Sequence, residues 1–238
     1  MEPAENDAGT GVFSWLKLSW DDYLTGFFTI FPVLLTLAAL NVPIYWLVRE
    51  YNSYLPALIY LLLVVTPFTT GSNLVYIRLA RGEKTSFAAL FSAFPVYPQA
   101  LAVSAWLGFI TLAGTLALVI PGIVIYTTYC FSEYSVVDRR TPIRESFSLS
   151  SRITPGYRDS LFLIVALTTA IDIFTPNPFG FTGKMSAPEL AFNLEPWVIA
   201  GFCLKTLVFL PWLHMTMARA YITLLPRAAL PAAVQADD

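Results

Sequence analysis

Charge is what this sequence has least of. Only 13% of its 238 residues are charged, against 56% hydrophobic and 15% aromatic, and the mean hydropathy is +0.63. A soluble fold of this composition would lack the polar surface needed to cover its core. The net charge of -2 favours neither a nucleic acid nor an acidic substrate as partner. Histidine occurs once, at His214, which excludes a multi-histidine metal centre. The two cysteines, Cys130 and Cys203, lie in apolar segments far from any CxxC spacing, so neither a disulfide framework nor a zinc site is indicated and no cofactor is expected. GxSxG, P-loop and HExxH patterns are missing, and no segment carries paired carboxylates. The opening MEPAENDAGTG is acidic and lacks the basic region of a signal peptide; it reads as a short disordered tail, as do residues 226–238.

What the sequence has instead is long uncharged runs. Residues 27–48 and 56–77 are each long enough, at ~1.5 Å per residue, to cross a hydrocarbon layer of about 30 Å. Residues 85–132 carry no charge at all, and one helix of that length would be roughly 70 Å long, so the run must contain more than one element. Pro121 and Gly122 are the natural place to turn the chain, closing a hairpin between spans at 99–120 and 123–137. Two further spans, 160–174 and 197–224, include Asp172 and Lys205, and the Pro, Gly and Asn content of residues 175–196 between them predicts a loop.

The basic residues set the orientation. With the N-terminus cytoplasmic, eleven of the 14 fall inside: Lys17, Arg78, Arg81, Lys84, Arg139, Arg140, Arg144, Arg152, Arg158, Arg219 and Arg227. Arg49 and Lys184 fall outside, and Lys205 lies within a span. Two inner connections share a layout of charged cluster, capping threonine and apolar-periodic segment. In the first, Phe87, Leu90, Phe91 and Phe94 form one helical face that Pro95 ends; in the second, Thr141 is the expected N-cap, with Pro142 at the first helical position. Both predict short amphipathic helices in the cytoplasmic interface, and FSWLKLSWDDYL within residues 1–24 predicts a third. The expectation is an all-α integral membrane protein of the cell membrane: six transmembrane helices in three hairpins over residues 25–225, with two short cytoplasmic-side amphipathic helices and both termini inside. The hairpins share one orientation, which would make any repeat a parallel one.

RGEKTSFAALF after the second span, together with IPGIVIYTTYCFSEYSVVDRRTPIRESFSLSSR, resembles a family of six-span prokaryotic membrane proteins related to the membrane domain of glycerophosphoryl diester phosphodiesterases. The likeness rests on Ile120, Pro121, Gly122, Tyr126, Tyr129, Phe131, Asp138 and Ser146, and covers residues 70–165; it departs at Arg144-Glu145, where the family pattern is more alanine-like. It implies a fold and a compartment, not a reaction.

Ionisable residues within a bilayer cost roughly 2.5 to 3.5 kcal/mol and are the first place to look for function. Glu133, Asp172 and Lys205 are the candidates, with Asn73 in the polar stretch TPFTTGSN. Asp172 lies ~21 Å along a helix from Arg158, and Lys205 lies ~12 Å from Trp197, so the two reach similar depth and can pair. Tyr126, Tyr129 and Tyr134 are placed to hydrogen-bond Glu133, and Arg139 or Arg140 to snorkel toward it. Arg139, Arg140, Arg144, Arg152 and Arg158 form the strongest charge feature, which the positive-inside rule accounts for and which also suits anionic lipid headgroups. Three functions compete: a non-catalytic membrane module that organises lipid or docks a partner protein or a second copy; a small transporter or channel using Glu133, Asp172 and Lys205; and a membrane-embedded lipid enzyme. The first is favoured, because general acid/base work needs positioned partners that the sequence does not display.

Overall fold

A computed structural model describes residues 11–184 and 187–226, and within them the chain is helical apart from one small β-hairpin. Helix α1, Val12–Tyr51, ends on Asn52 in the left-handed conformation. Ser53 then caps α2, Tyr54–Ala80, by accepting a hydrogen bond from Leu55 N–H at 3.2 Å. A 3-10 stretch, Phe87–Val96, leads into α3, Tyr97–Ala117. Next come α4, Val119–Tyr129, α5, Ser132–Arg139, α6, Ile143–Ile153, and α7, Arg158–Phe174. Strands β1, Phe179–Lys184, and β2, Ala187–Phe192, pair antiparallel before α8, Pro196–Leu224. Four helical stretches are long and apolar enough to cross a membrane: α1, α2, Phe87–Ala117 and α8. Their outward faces carry exposed Phe28, Leu35, Trp46, Leu63 and Leu116, a large apolar surface of the kind that lipid covers.

Several expectations change in detail. FSWLKLSWDDYL is no separate interfacial helix; it is the start of α1, with Trp15, Ser19 and Tyr23 buried and Phe13, Trp20 and Leu24 exposed. The 87–94 segment is 3-10 rather than α, and Pro95 does not end it, because the helical course continues into α3. It lies tight against α2: a Cβ on Gly71 would come within 2.1 Å of the Leu90 carbonyl oxygen. Residues 175–196 are not a bare loop. Phe179 and Phe181, two apart and thus on one face of β1, pack on Tyr45, and Phe181 also meets Tyr54, which seats the hairpin over the α1–α2 turn. The tail residues 1–10 and 227–238 lie outside the described residues, as does Arg227.

The hairpin expected at Pro121 and Gly122 is present, but the chain reverses at Leu118, the one extended residue between α3 and α4. Pro121 sits in the first turn of α4, where its missing N–H leaves no bond unmade. Gly122 serves close approach rather than turning, since a Cβ there would lie 2.8 Å from the Thr115 backbone nitrogen. The span expected at 123–137 is likewise interrupted, between Tyr129 and Ser132. The gap is bridged from α6: the Ser150 hydroxyl donates to the Thr128 carbonyl at 2.8 Å and accepts from Phe131 N–H at 3.2 Å, and the Thr154 hydroxyl also donates to the Thr128 carbonyl. A helix break in apolar surroundings survives only where such partners replace the lost backbone bonds. Thr141 does not cap α6; Pro142 takes the N-cap position, and the Thr141 hydroxyl bonds that of Ser135 at 3.1 Å.

The core is concentrated toward one end. The second half of α8 runs through its centre with Leu213, Met215, Ala218, Ala220, Tyr221 and Leu224 fully buried against Trp15 and Ile30 of α1, Ile77 of α2, Phe131, Ile153 and Leu161.

Candidate functional site

The pairing inferred for Asp172 and Lys205 is present. Asp172 lies two residues before the end of α7, and Lys205 opens a π-helical turn, Lys205–Phe209, within α8. Lys205 Nζ donates to Asp172 Oδ1 at 3.1 Å and to Asn177 Oδ1 at 2.7 Å, and stands 5.6 Å from the Phe202 ring. The two charges are unequally buried: the lysine side chain is 3% exposed and the aspartate 63%. Isolated π turns recur where a helix must re-aim a functional side chain. Here the turn places an ammonium on the wall of a cleft.

That cleft, of about 590 Å³, opens between α1, α2 and α8. Leu34, Leu37, Ala38 and Val42 form its apolar wall on α1; Thr69, Ser72, Asn73 and Tyr76 face it from α2, and Leu210 and His214 from α8. Asp172, Asn177 and Lys205 line one part of it, and the volume is that of a small-molecule or lipid-chain site. The Tyr76 and His214 rings stand 5.9 Å apart, and neither the Tyr76 hydroxyl nor the His214 ring has a hydrogen-bond partner among the described residues. The cleft therefore offers unused polar valences beside the apolar wall of α1.

Glu133 forms a second polar centre. Ser104 on α3 donates to its Oε2 at 2.8 Å, while Asn73 and Thr70 on α2 donate to its Oε1 at 3.0 and 3.4 Å. The break before Ser132 gives this carboxylate a further stabilising partner, because Glu133 stands in the first turn of α5, at the positive end of the helix dipole. No cation pairs with Glu133 among the described residues. The expected phenolic hydrogen bonds do not form: Glu133 accepts from Ser104, Asn73 and Thr70 and not from Tyr126, Tyr129 or Tyr134. Tyr129 packs on Phe147 and Tyr134 on Tyr221, and Arg139 and Arg140 are exposed. Asn73 is the link between the two centres, since it lines the cleft and holds Glu133, whereas Glu133 does not line the cleft.

Comparison with known proteins adds no neighbour. No family model, curated protein or solved structure matches the chain. The site is therefore read on its own geometry.

Arg139, Arg140, Arg144, Arg152 and Arg158 are all exposed, distributed over the end of α5, α6 and the start of α7. Arg139 and Arg152 also line a cavity of about 410 Å³ with Glu145 and Leu149. Two ion pairs at this end escaped the sequence reading. Arg81, just past α2, donates to Asp138 Oδ1 at 2.6 Å, and the Tyr221 hydroxyl donates to Asp138 Oδ2 at 3.2 Å. The hydrogen bond to Asp138 raises the Arg81 pKa further. Arg219 pairs with Asp22, joining α8 to α1. Asp138 enters the sequence reading only through the family resemblance and Asp22 not at all; each shares the basic end of the molecule with its arginine, which is the sequence signal for the pairs.

Proposed function

We propose that the chain is a six-span integral membrane protein of the cell membrane with its basic end cytoplasmic, and that it acts there as a non-catalytic module organising anionic lipid or docking a partner. The observation that supports this most is the exposure of all five arginines on consecutive connections at one end, while Arg81 and Arg219 nearby are committed to ion pairs. Basic residues near a membrane surface contribute about 1 kcal/mol each toward anionic lipid. The four long apolar helices carry the membrane part of the reading; α7, with 17 residues, and the broken α4–α5 pair supply the other two spans. The likeness to the membrane domain of glycerophosphoryl diester phosphodiesterases is part of the same proposal.

The transport reading needs Glu133, Asp172 and Lys205 on one cavity, and only the latter two line the cleft. The test is lipid binding by native mass spectrometry of the full chain in micelles. Phosphatidylglycerol should bind more tightly than phosphatidylcholine, and Arg144→Gln, Arg152→Gln and Arg158→Gln together should weaken it by about 3 kcal/mol, or ~100-fold. Equal binding of the two lipids sinks the reading. The orientation is checked separately by cysteines placed at Arg144 and at Asn52 in a cysteine-free background: an impermeant maleimide applied to intact cells should label only the second.

A further inference from the structure

We propose that the cleft between α1, α2 and α8 holds one zwitterionic aminophospholipid, with its phosphate on Lys205 and Asn177, its ammonium on Asp172 and an acyl chain along the apolar wall of α1. The inference rests on unfilled valences. An ammonium has three N–H donors, and Lys205 uses two of them, on Asp172 Oδ1 and Asn177 Oδ1. Asn177 keeps its amide N–H groups free, and Asp172 keeps Oδ2 free, among the described residues. The rim therefore presents two kinds of donor beside one anionic acceptor, with no net charge.

That pattern selects among headgroups. A phosphate takes the lysine and amide donors, and a primary ammonium donates to the free carboxylate oxygen. A purely anionic headgroup brings its charge against Asp172, which is 63% exposed and cannot be avoided. A quaternary ammonium has no N–H to donate to it. Leu34, Leu37, Ala38 and Val42 give the same cleft an apolar wall suited to a chain. This site is distinct from the arginines in residues, and it takes a neutral headgroup where they take an anionic one.

The experiment is native mass spectrometry of the full chain, with Arg144, Arg152 and Arg158 changed to Gln to silence the other surface. It is titrated with phosphatidylethanolamine, phosphatidylcholine and phosphatidylglycerol of identical chains. Phosphatidylethanolamine should bind one-to-one and at least tenfold tighter than either other lipid. Asp172→Asn should erase that preference, and Ala38→Trp, at an exposed position on the cleft wall, should weaken binding tenfold with the thermal midpoint unchanged. In the unmodified chain, a phosphatidylethanolamine with a diazirine on its acyl chain should label peptides of α1, α2 or α8. Equal binding of the three lipids, a preference that survives Asp172→Asn, binding that Ala38→Trp leaves undiminished, or labelling confined to other helices overturns the proposal. Loss of the phosphatidylglycerol preference in the unmodified chain would refute the arginine reading and leave this one standing.

Discussion

The ion pair between α7 and α8 makes an asymmetric prediction. Replacing Asp172 with Asn leaves the Lys205 ammonium, 3% exposed, with Asn177 and an uncharged amide as its partners. Breaking a fully buried pair from one side costs 3 to 5 kcal/mol, on the order of what an uncompensated interior charge demands. Asp172 is 63% exposed and Asn177 remains, so the cost here falls to about 2 kcal/mol. Lys205→Met works the other way: it leaves a carboxylate already facing outward and removes the buried charge, and should cost at most about 1 kcal/mol. The double variant has no buried charge left to strand, so it should resemble Lys205→Met alone, giving a coupling of about 2 kcal/mol. The assay is reversible unfolding of the four proteins by titrating SDS into lipid-free micelles, read by circular dichroism. If the two losses simply add, the pair contributes nothing. If Lys205→Met proves the costlier single change, the burial argument is wrong.

Other sites predict as directly. At Gly71 an added Cβ meets the Leu90 carbonyl at 2.1 Å, so Gly71→Ala must push the 3-10 segment off α2 and should cost at least 2 kcal/mol, above the ~1 kcal/mol of helix propensity it gains. Gly108, with nothing within 4 Å, is the control: Gly108→Ala should stabilise by about 0.5 to 1 kcal/mol in the same titration, and equal signs for the two would refute the packing described. Ser150→Ala removes both hydrogen bonds across the α4–α5 break and strands a buried Phe131 N–H, for a loss of about 2 to 3 kcal/mol. Hydrogen exchange should then rise at Cys130 and Phe131 before it rises elsewhere, and protection there equal to that of the unmodified chain would refute the bridge.

How much of this was legible depended on whether the signal was linear in the chain. The Asp172–Lys205 pair was, because residue counts from Arg158 and Trp197 give depths along two helices. The partners of Glu133 were not: Asn73, Thr70 and Ser104 come from two other helices, and no spacing announces that they converge. The reading of residues 87–94 puts Phe87, Leu90, Phe91 and Phe94 together on the apolar face of an interfacial helix, and does not say which residues meet the other helices. In the structure that face divides: Phe87, Phe91 and Phe94 are exposed, while Leu90 is buried with Ala89 and Ala93. Where lipid is as apolar as the interior, burying large residues gains little and small ones let backbones approach. Phe13, Trp20 and Leu24 on α1 are exposed likewise, while Ser19 beside them is buried. The β-hairpin was hidden because its Pro and Gly residues read as loop, although Phe179 and Phe181 already stood at strand spacing.

The polar ties divide the molecule. Asp22 with Arg219, Arg81 with Asp138 and Tyr221, Ser150 with Thr128, and Ser19 with Thr216 at 2.6 Å all join helices around the buried half of α8. The cleft begins within the same lengths: Thr69, Ser72 and Asn73 of α2 and Leu210, Pro211 and His214 of α8 line it, beside the apolar wall of α1 and Lys205. Both α2 and α8 change character at the same place: a π turn, Leu61–Val65 or Lys205–Phe209, precedes a 15-residue α-helical half with proline second, at Pro67 and Pro211. On α8 the π turn supplies Lys205 and Thr206 to the cleft and Pro211 follows them on its lining, whereas on α2 the π turn and Pro67 precede the lining, which starts at Thr69. On α8 the irregular backbone thus falls at the cleft and before Thr216, Arg219 and Tyr221, the residues that carry its ties, so the same helix serves the cleft with its π turn and the cross-linked end with its regular turns.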